Sequence, residues 1–182
     1  TSTPIKAALQ VDGVTYIDVG IHMKGYSSSW VTTKKKPFNL VMDAFQPGQT
    51  LYGYKTINLN NAYLDPTFTR EVLTYELMEN YLPVPQTAFA RVYLNGTYWG
   101  VYILVEQPNK DFLRRHYRDE DGHRFKGDPP SGPAVDASTF EYRGSAPSVN
   151  HPHYILKSPD QQAWTDLVDL TYKLNRSSSV NL

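Results

Sequence analysis

Cysteine is absent from the 182 residues, which excludes disulfides and thiolate metal sites. Its absence suits a non-disulfide extracellular protein as well as a cytosolic one. An excess of charge is absent too. Lysine and arginine total 18 and the acids 18, so no net field steers the chain toward nucleic acid or an anionic membrane. No apolar run approaches the ~20 residues of a membrane helix, so no membrane-spanning segment is expected. No internal repeat is visible. The sequence opens on Thr-Ser-Thr-Pro, with neither methionine nor a signal-like apolar segment, and reads as a processed form or an excised piece.

What is present is a chain long enough for one domain, or one domain with a tail, burying roughly 70% of its unfolded surface. Aromatics make up 13%, with 14 tyrosines. That richness suits a sheet-heavy core or a sugar-stacking surface.

Residues 17–24 alternate, with Ile17, Val19, Ile21 and Met23 on one face and Asp18, His22 and Lys24 on the other, predicting a half-buried strand. A Gly-Tyr-Ser-Ser-Ser-Trp loop and the basic run Lys34–Lys36 follow. Residues 38–43 predict a second strand, closed by the turn signal Pro47–Gly48. Asp65 as N-cap and Pro66 at the first helical position predict a helix over about 66–81. On a helical wheel Phe68, Val72, Tyr75, Met78 and Leu82 form one apolar stripe, and Leu73, Leu77 and Tyr81 an opposite one. Such a helix is expected to be sandwiched.

Asn95–Gly96 between two strand-like runs predicts a hairpin over 87–106, placed centrally in a largely antiparallel sheet of four or more strands. A short basic helix is expected at 110–118, a loop-like stretch from Asp119 to about His153, and a helix over 159–175 with Trp164, Leu167, Val168, Leu170 and Leu174 facing the core.

Glu71 is the leading candidate for chemistry, because the wheel turns it into the Phe68/Tyr75/Met78 stripe. A carboxylate there needs a cationic partner, for example a strand lysine; the alternative is an exposed first turn in which Glu71 favours the helix dipole. The hydroxyls and backbone N–H groups of Ser27, Ser28 and Ser29 suit an anion, although no Walker-type or G-x-G-x-x-G spacing accompanies them. Asn58, Asn60 and Asn61 suit either a ligand or turn capping. His151 and His153 flank a proline, and a metal there would need further ligands. The Asp-Glu-Asp-Gly run at 119–122 lacks a calcium-loop pattern. No nucleophile–base arrangement is visible.

Several stretches together resemble the CotH kinase family, named after spore coat protein H. They are HMKGYSSSW, KKPFNLVMD, INLNNAYLDPTFTREVLTYEL, VPQTAFARVYLNGTYWGVYILVEQ, KDFLRRHY, GHRFKG and YILKSPDQQAWTDLVDLTYKLN. The resemblance runs from about residue 14 to 175. It implies an α+β fold: an atypical protein-kinase-like N-lobe, with a mostly antiparallel sheet, the helix at about 66–81 and the hairpin over 87–106. Residues 14–107 would form that lobe, and 108–182 a hinge, a loop-rich connector and the start of a C-lobe.

The resemblance further implies ATP with Mg2+ or Mn2+ as cofactors, and phosphoryl transfer to serine or threonine of a protein partner. Nucleotide-facing residues would be Lys24, Ser27, Ser28, Ser29, Lys36 and Glu71, with Val105, Glu106 and Gln107 at the hinge. Asn60, Asn61 and Arg70 would complete the wall. Lys24 and Lys36 both remain candidates for the phosphate lysine, since Asn39 and Val41 occupy strand positions where relatives often carry basic residues. The family's catalytic and metal-binding aspartates lie in Asn-Trp-Asp and Pro-Trp-Asp segments, and this sequence contains no Trp-Asp pair. No catalytic or metal residue is therefore expected within the chain. By itself it is expected to be inactive, its partner being the remaining C-terminal part of the domain. An extracellular or cell-surface location is slightly favoured, and the competing function is a non-catalytic surface module that binds carbohydrate or protein.

Overall fold

Alternation of side chains along the first 106 residues builds one six-stranded sheet. The computed structural model describes residues 3–25, 27–29, 32–128 and 138–176. Its strands are β1 (Ile5–Val11), β2 (Val14–Met23), β3 (Phe38–Val41), β4 (Thr56–Asn60), β5 (Thr87–Leu94) and β6 (Thr97–Glu106). They lie in the order β1-β2-β3-β4-β6-β5, every neighbouring pair antiparallel. Helix α1 (Arg70–Met78) connects β4 to β5, and α2 (Lys110–His116) follows β6. The fold is α+β.

Asn95 and Gly96 both adopt positive φ, 49° and 78°, the backbone that a two-residue hairpin turn requires. The β5–β6 hairpin forms over the expected residues but is not central, because β5 is the edge strand. The displacement comes from β4. Asparagine is depleted in strands, which weakens the alternation of Ile57 and Leu59 with Asn58 and Asn60 as a strand signal, yet Thr56–Asn60 pairs with both β3 and β6.

β2 departs from its expected alternation at a bulge. Ala7 faces Val19, but Leu9 faces Tyr16, and Asp18 between them has φ 59°. An extra residue shifts the strand's facing. Tyr16 packs toward the core, while Ile17, expected inward, is 58% exposed; Met23 keeps the facing of Val19 and Ile21 but lies at the strand end, 61% exposed.

The register sorts the sheet into two faces. Val19 and Ile21 of β2, Leu40 of β3, Ile57 and Leu59 of β4, and Tyr102 and Leu104 of β6 share one face, and with Met42 and Leu51 they make the apolar core. His22, Asn39, Asn58, Asn60, Ile103 and Val105 fall on the other.

Helix α1 begins four residues later than the sequence suggests. Phe68 has φ 63°, which no right-handed helix accommodates. Asp65 still acts as a cap, but across a longer span: its carboxylate accepts from the Thr67 and Arg70 amides at 3.0 and 2.9 Å. Pro66 lies in the turn before the helix. No α1 residue is fully buried, and Leu73 and Leu77 are 50% and 72% exposed. The helix is thus not sandwiched within this unit; it packs along edge strand β5, which leaves its second stripe uncovered.

Residues up to Arg118 form one unit and those from Asp119 a second. In the second, the stretch expected as loop contains β7 (Phe125–Gly127), which pairs with β8 (Tyr154–Leu156). Helix α3 (Ala163–Arg176) starts later than 159, and Tyr154, Trp164 and Leu167 close the core with Phe125 and Leu156. Leu170 and Leu174, expected inward, are exposed, and Thr171 is buried in their place. Residues 129–137 of the expected loop lie outside the described residues.

Candidate functional site

Strand period places the polar side chains of neighbouring strands side by side. Lys24 leaves the end of β2 two residues beyond His22, and Asn60 ends β4 two residues beyond Asn58. The Lys24 ammonium donates to Asn60 Oδ1 at 3.0 Å. The Asn60 amide nitrogen in turn meets both carboxylate oxygens of Glu71 on α1, at 2.8 and 3.0 Å. The amide thereby joins a strand lysine to a helix glutamate. It presents its acceptor to the cation and its donors to the anion, which is the orientation both charges require.

These three residues line a cavity of about 410 Å³, with Gly25, Ser28, Asn61, Arg70 and the 62–65 turn contributing the remaining wall. The loop after β2 is shaped by Gly25, whose φ is +88° and where a Cβ would lie 2.1 Å from Ser28 Oγ. Asn61 ties that loop down: its amide nitrogen donates to the Ser28 and Lys35 carbonyls at 3.3 and 3.0 Å. Lys35 returns a bond to the Asn61 carbonyl at 3.3 Å, and its ammonium sits 4.2 Å from the Phe68 ring and 5.0 Å from that of Tyr102. Burial lowers the Lys35 pKa. Asp65 is held below the ordinary carboxyl range by the Thr67 hydroxyl first, then by the Arg70 and Thr67 amides. Arg70 reaches back to the Leu64 carbonyl at 3.0 Å.

Of the residues named from sequence, Lys24, Ser28, Asn60, Asn61, Arg70 and Glu71 come together at this cavity. The others do not. Lys36 gives its ammonium to the Ser29 carbonyl at 2.9 Å, and neither residue lines the cavity. Ser27 belongs to the turn Ser27–Ser29, with its side chain outside the described residues. Val105 is sealed at 4% exposure. The Glu106 side chain lies on the opposite face, bonded to Arg115 of α2 and accepting from the Gln86 amide. Gln107 turns to the Lys24 face and accepts from Asn58 at 2.9 Å.

Lys35, Asp65 and Gly25 were missed as site-shaping residues. The signal available for Gly25 was its place between a lysine and a serine run; for Lys35 there was none beyond its basic neighbours. His151 stacks on Trp164 at 4.2 Å, and among the described residues no group of three or more histidines and acids could hold a metal. No helix among them is long and apolar enough to cross a membrane.

The antiparallel sheet thus sets a strand lysine, linked through Asn60 to a helix glutamate, beside the cavity. The family model described as CotH kinase protein matches residues 21–182, and the chain belongs to the CotH kinase family. No curated protein matches it.

Proposed function

We propose that this chain supplies the nucleotide-holding wall of an atypical protein kinase, an ATP-dependent phosphotransferase acting on serine or threonine of a protein. The observation that carries the reading is the Lys24–Asn60–Glu71 connection at the edge of the cavity. Kinase-like lobes hold nucleotide phosphates with a strand lysine that a helix glutamate keeps in place. Here the asparagine amide transmits that restraint, and it favours Lys24 over Lys36 as the phosphate lysine. The β2 loop with Ser28, together with Arg70, adds donors that suit phosphate oxygens. A cavity of about 410 Å³ falls in the range of small-molecule sites.

A bound nucleotide would bring the phosphoryl group; Lys24 and Arg70 would balance its charge and Asn61 would keep the loop closed over it. The metal is a different matter. The described residues contain no group of acids and histidines able to hold one, so no step is assigned through Mg2+ or Mn2+. The reading assigns binding to this chain and transfer to the Asn-Trp-Asp and Pro-Trp-Asp segments, which residues 1–182 do not contain.

Calorimetric titration of ATP tests the reading. Lys24→Ala removes a charged donor and weakens binding at least about tenfold. Glu71→Ala weakens it less, by freeing the lysine, and Glu76→Ala leaves it unchanged. Wild-type affinity in Lys24→Ala would sink the proposal.

A second reading, a surface module for carbohydrate or protein, draws on the hairpin tip. Tyr93 and Tyr98 stand 5.4 Å apart and are 56% and 53% exposed. Under that reading Tyr93→Ala abolishes retention on immobilised glycans and leaves ATP binding intact.

A further inference from the structure

The entry to α1 holds a conflict between local sequence and observed backbone. Asp65 followed by Pro66 signals a helix that begins at 66, yet α1 begins at Arg70. Between β4 and α1, Ala62, Leu64 and Phe68 have φ of 55°, 56° and 63°. Each left-handed residue with a Cβ is disfavoured roughly five- to thirtyfold. Three of them in one connection persist only where their surroundings over-determine them.

For Ala62 and Leu64 the surroundings are hydrogen bonds. The Asp65 amide donates to the Ala62 carbonyl at 3.0 Å, and the Arg70 guanidinium to the Leu64 carbonyl at 3.0 Å. Phe68 is held differently, through its ring, by the Lys35 ammonium 4.2 Å away. The lysine is itself anchored. Its carbonyl accepts from the Asn61 amide nitrogen at 3.0 Å, and the next carbonyl, that of Lys36, accepts from the Tyr102 hydroxyl at 3.0 Å. Its stem lies against Gly100 of β6, where an added Cβ would stand 3.4 Å from Cε and 3.7 Å from Cδ. The ammonium meets two ring faces and the Asn61 carbonyl, and the rings supply a cation–π attraction.

We infer that α1 has two available starts and that Lys35 is the positioning residue that selects the later one. With the ammonium on its ring, Phe68 keeps the left-handed backbone and α1 begins at Arg70. Glu71 then leaves the turn toward Asn60, whose amide nitrogen it meets at 2.8 and 3.0 Å. Without that contact Phe68 returns to right-handed backbone, a change of roughly 120° in φ. Asp65 then caps a helix running from Pro66, and the added turn, roughly 6 Å long, redirects α1 away from Asn60. Lys35 does not line the cavity; it acts on Glu71 only through this turn. The selection needs no ligand, so it stands apart from the nucleotide reading.

NMR of the ligand-free chain tests this. In the wild type the 13Cα shifts of Thr67, Phe68 and Thr69 are non-helical, and the Asn60 NH2 carries the downfield shift of a bond to carboxylate. Lys35→Met keeps the stem and drops the charge. It raises the ratio of early to late start about three- to tenfold, moving residues 67–69 toward helical shifts and the Asn60 signal upfield. Lys35→Arg keeps a cation over the rings and leaves both in place. Phe68→Ala and Phe68→Gly lose the same ring but differ in backbone preference: alanine takes the early start and glycine keeps the late one, the ratio differing about thirtyfold. Adding Phe68→Gly to Lys35→Met restores the Asn60 signal. A lysine that merely stabilised the fold would lower the melting temperature without moving the start of α1. Wild-type shifts in Lys35→Met, or the same start in both Phe68 variants, would overturn the inference. Should Lys35→Met fail to fold, the Phe68 pair decides.

Discussion

The two faces of the six-stranded sheet are made by the same residues in alternation, yet they are stabilised by opposite means. On one face Leu40, Leu59 and Tyr102 exclude water by packing, with Ile21 and Leu104 around them. On the other, Asn39 and Asn58 are nearly as buried but are held by hydrogen bonds between amides. Burial of apolar area is non-directional and stabilises by about 25 cal/mol per Å². A buried amide gains little net and mainly avoids the cost of being unpaired. Buried polarity on a sheet face is therefore weak evidence for stability and better evidence for a site. Alternation here separates an apolar core from a buried polar layer rather than from solvent, and of that layer Asn60 and Ile103 line the cavity.

The largest effect expected is on the apolar face. Leu59→Ala removes packing against Leu40 and Tyr102 and lowers unfolding free energy by about 2–5 kcal/mol in urea titrations. A loss below about 1 kcal/mol would mean that this face is not the core.

On the polar face, Asn58→Ala strands the Asn39 amide nitrogen and the Gln107 oxygen, and costs about 1–3 kcal/mol. The double variant Asn39→Leu/Asn58→Leu replaces both partners and comes back to within about 1 kcal/mol of wild type. A double variant as unstable as the single one would show that the amides act as core after all.

Gly25→Ala tests the loop over the cavity. Left-handed backbone costs a residue with Cβ roughly 1–2 kcal/mol, and the new methyl group collides with Ser28. The melting temperature falls modestly and ATP binding falls more, the reverse of Leu59→Ala at matched stability.

The smallest effect belongs to the second unit, where His123 pairs with two aspartates. His123 bridges Asp160 at 3.1 Å and Asp166 at 2.7 Å, and the Asp160 bond, followed by that of Asp166, raises its pKa above the ordinary 6.5. Its contribution is therefore complete below pH 6.5 and is lost as pH rises through the raised value. Asp160 is depressed by the Gln162 amide and then by His123, so its share is present above the usual aspartate range and lost as pH falls through the lowered one. Thermal unfolding from pH 5 to 9 shows a fall on the alkaline side that His123→Asn removes. A slope that survives the substitution would assign it to another group.

How much was legible follows from the range of the interactions. The hairpin could be read because the demand for positive φ at Asn95 and Gly96 is local. Glu71 could be singled out because helical period is local as well. Its helix, however, was begun at Pro66. The pattern of caps and apolar spacing does not register that Phe68 takes a left-handed backbone while Lys35, 33 positions earlier, lies over its ring. β4 alternates Ile57 and Leu59 with Asn58 and Asn60, a strand signal that the asparagines weaken until their partners Asn39 and Lys24 are in place.

The sequence alone determined the even charge balance, the absence of thiol chemistry, the hairpin, and the family to which the chain belongs, because each depends on residue type or on spacing within a few positions. Only the tertiary structure linked Lys24 to Glu71 through the Asn60 amide and gave the Lys36 ammonium to the Ser29 carbonyl. The same holds for the row of hydrogen bonds from His22 through Asn39 and Asn58 to Gln107. Those are properties of strand register, and register is set by pairing between residues tens of positions apart, whose hydrogen bonds exist only once the sheet has closed.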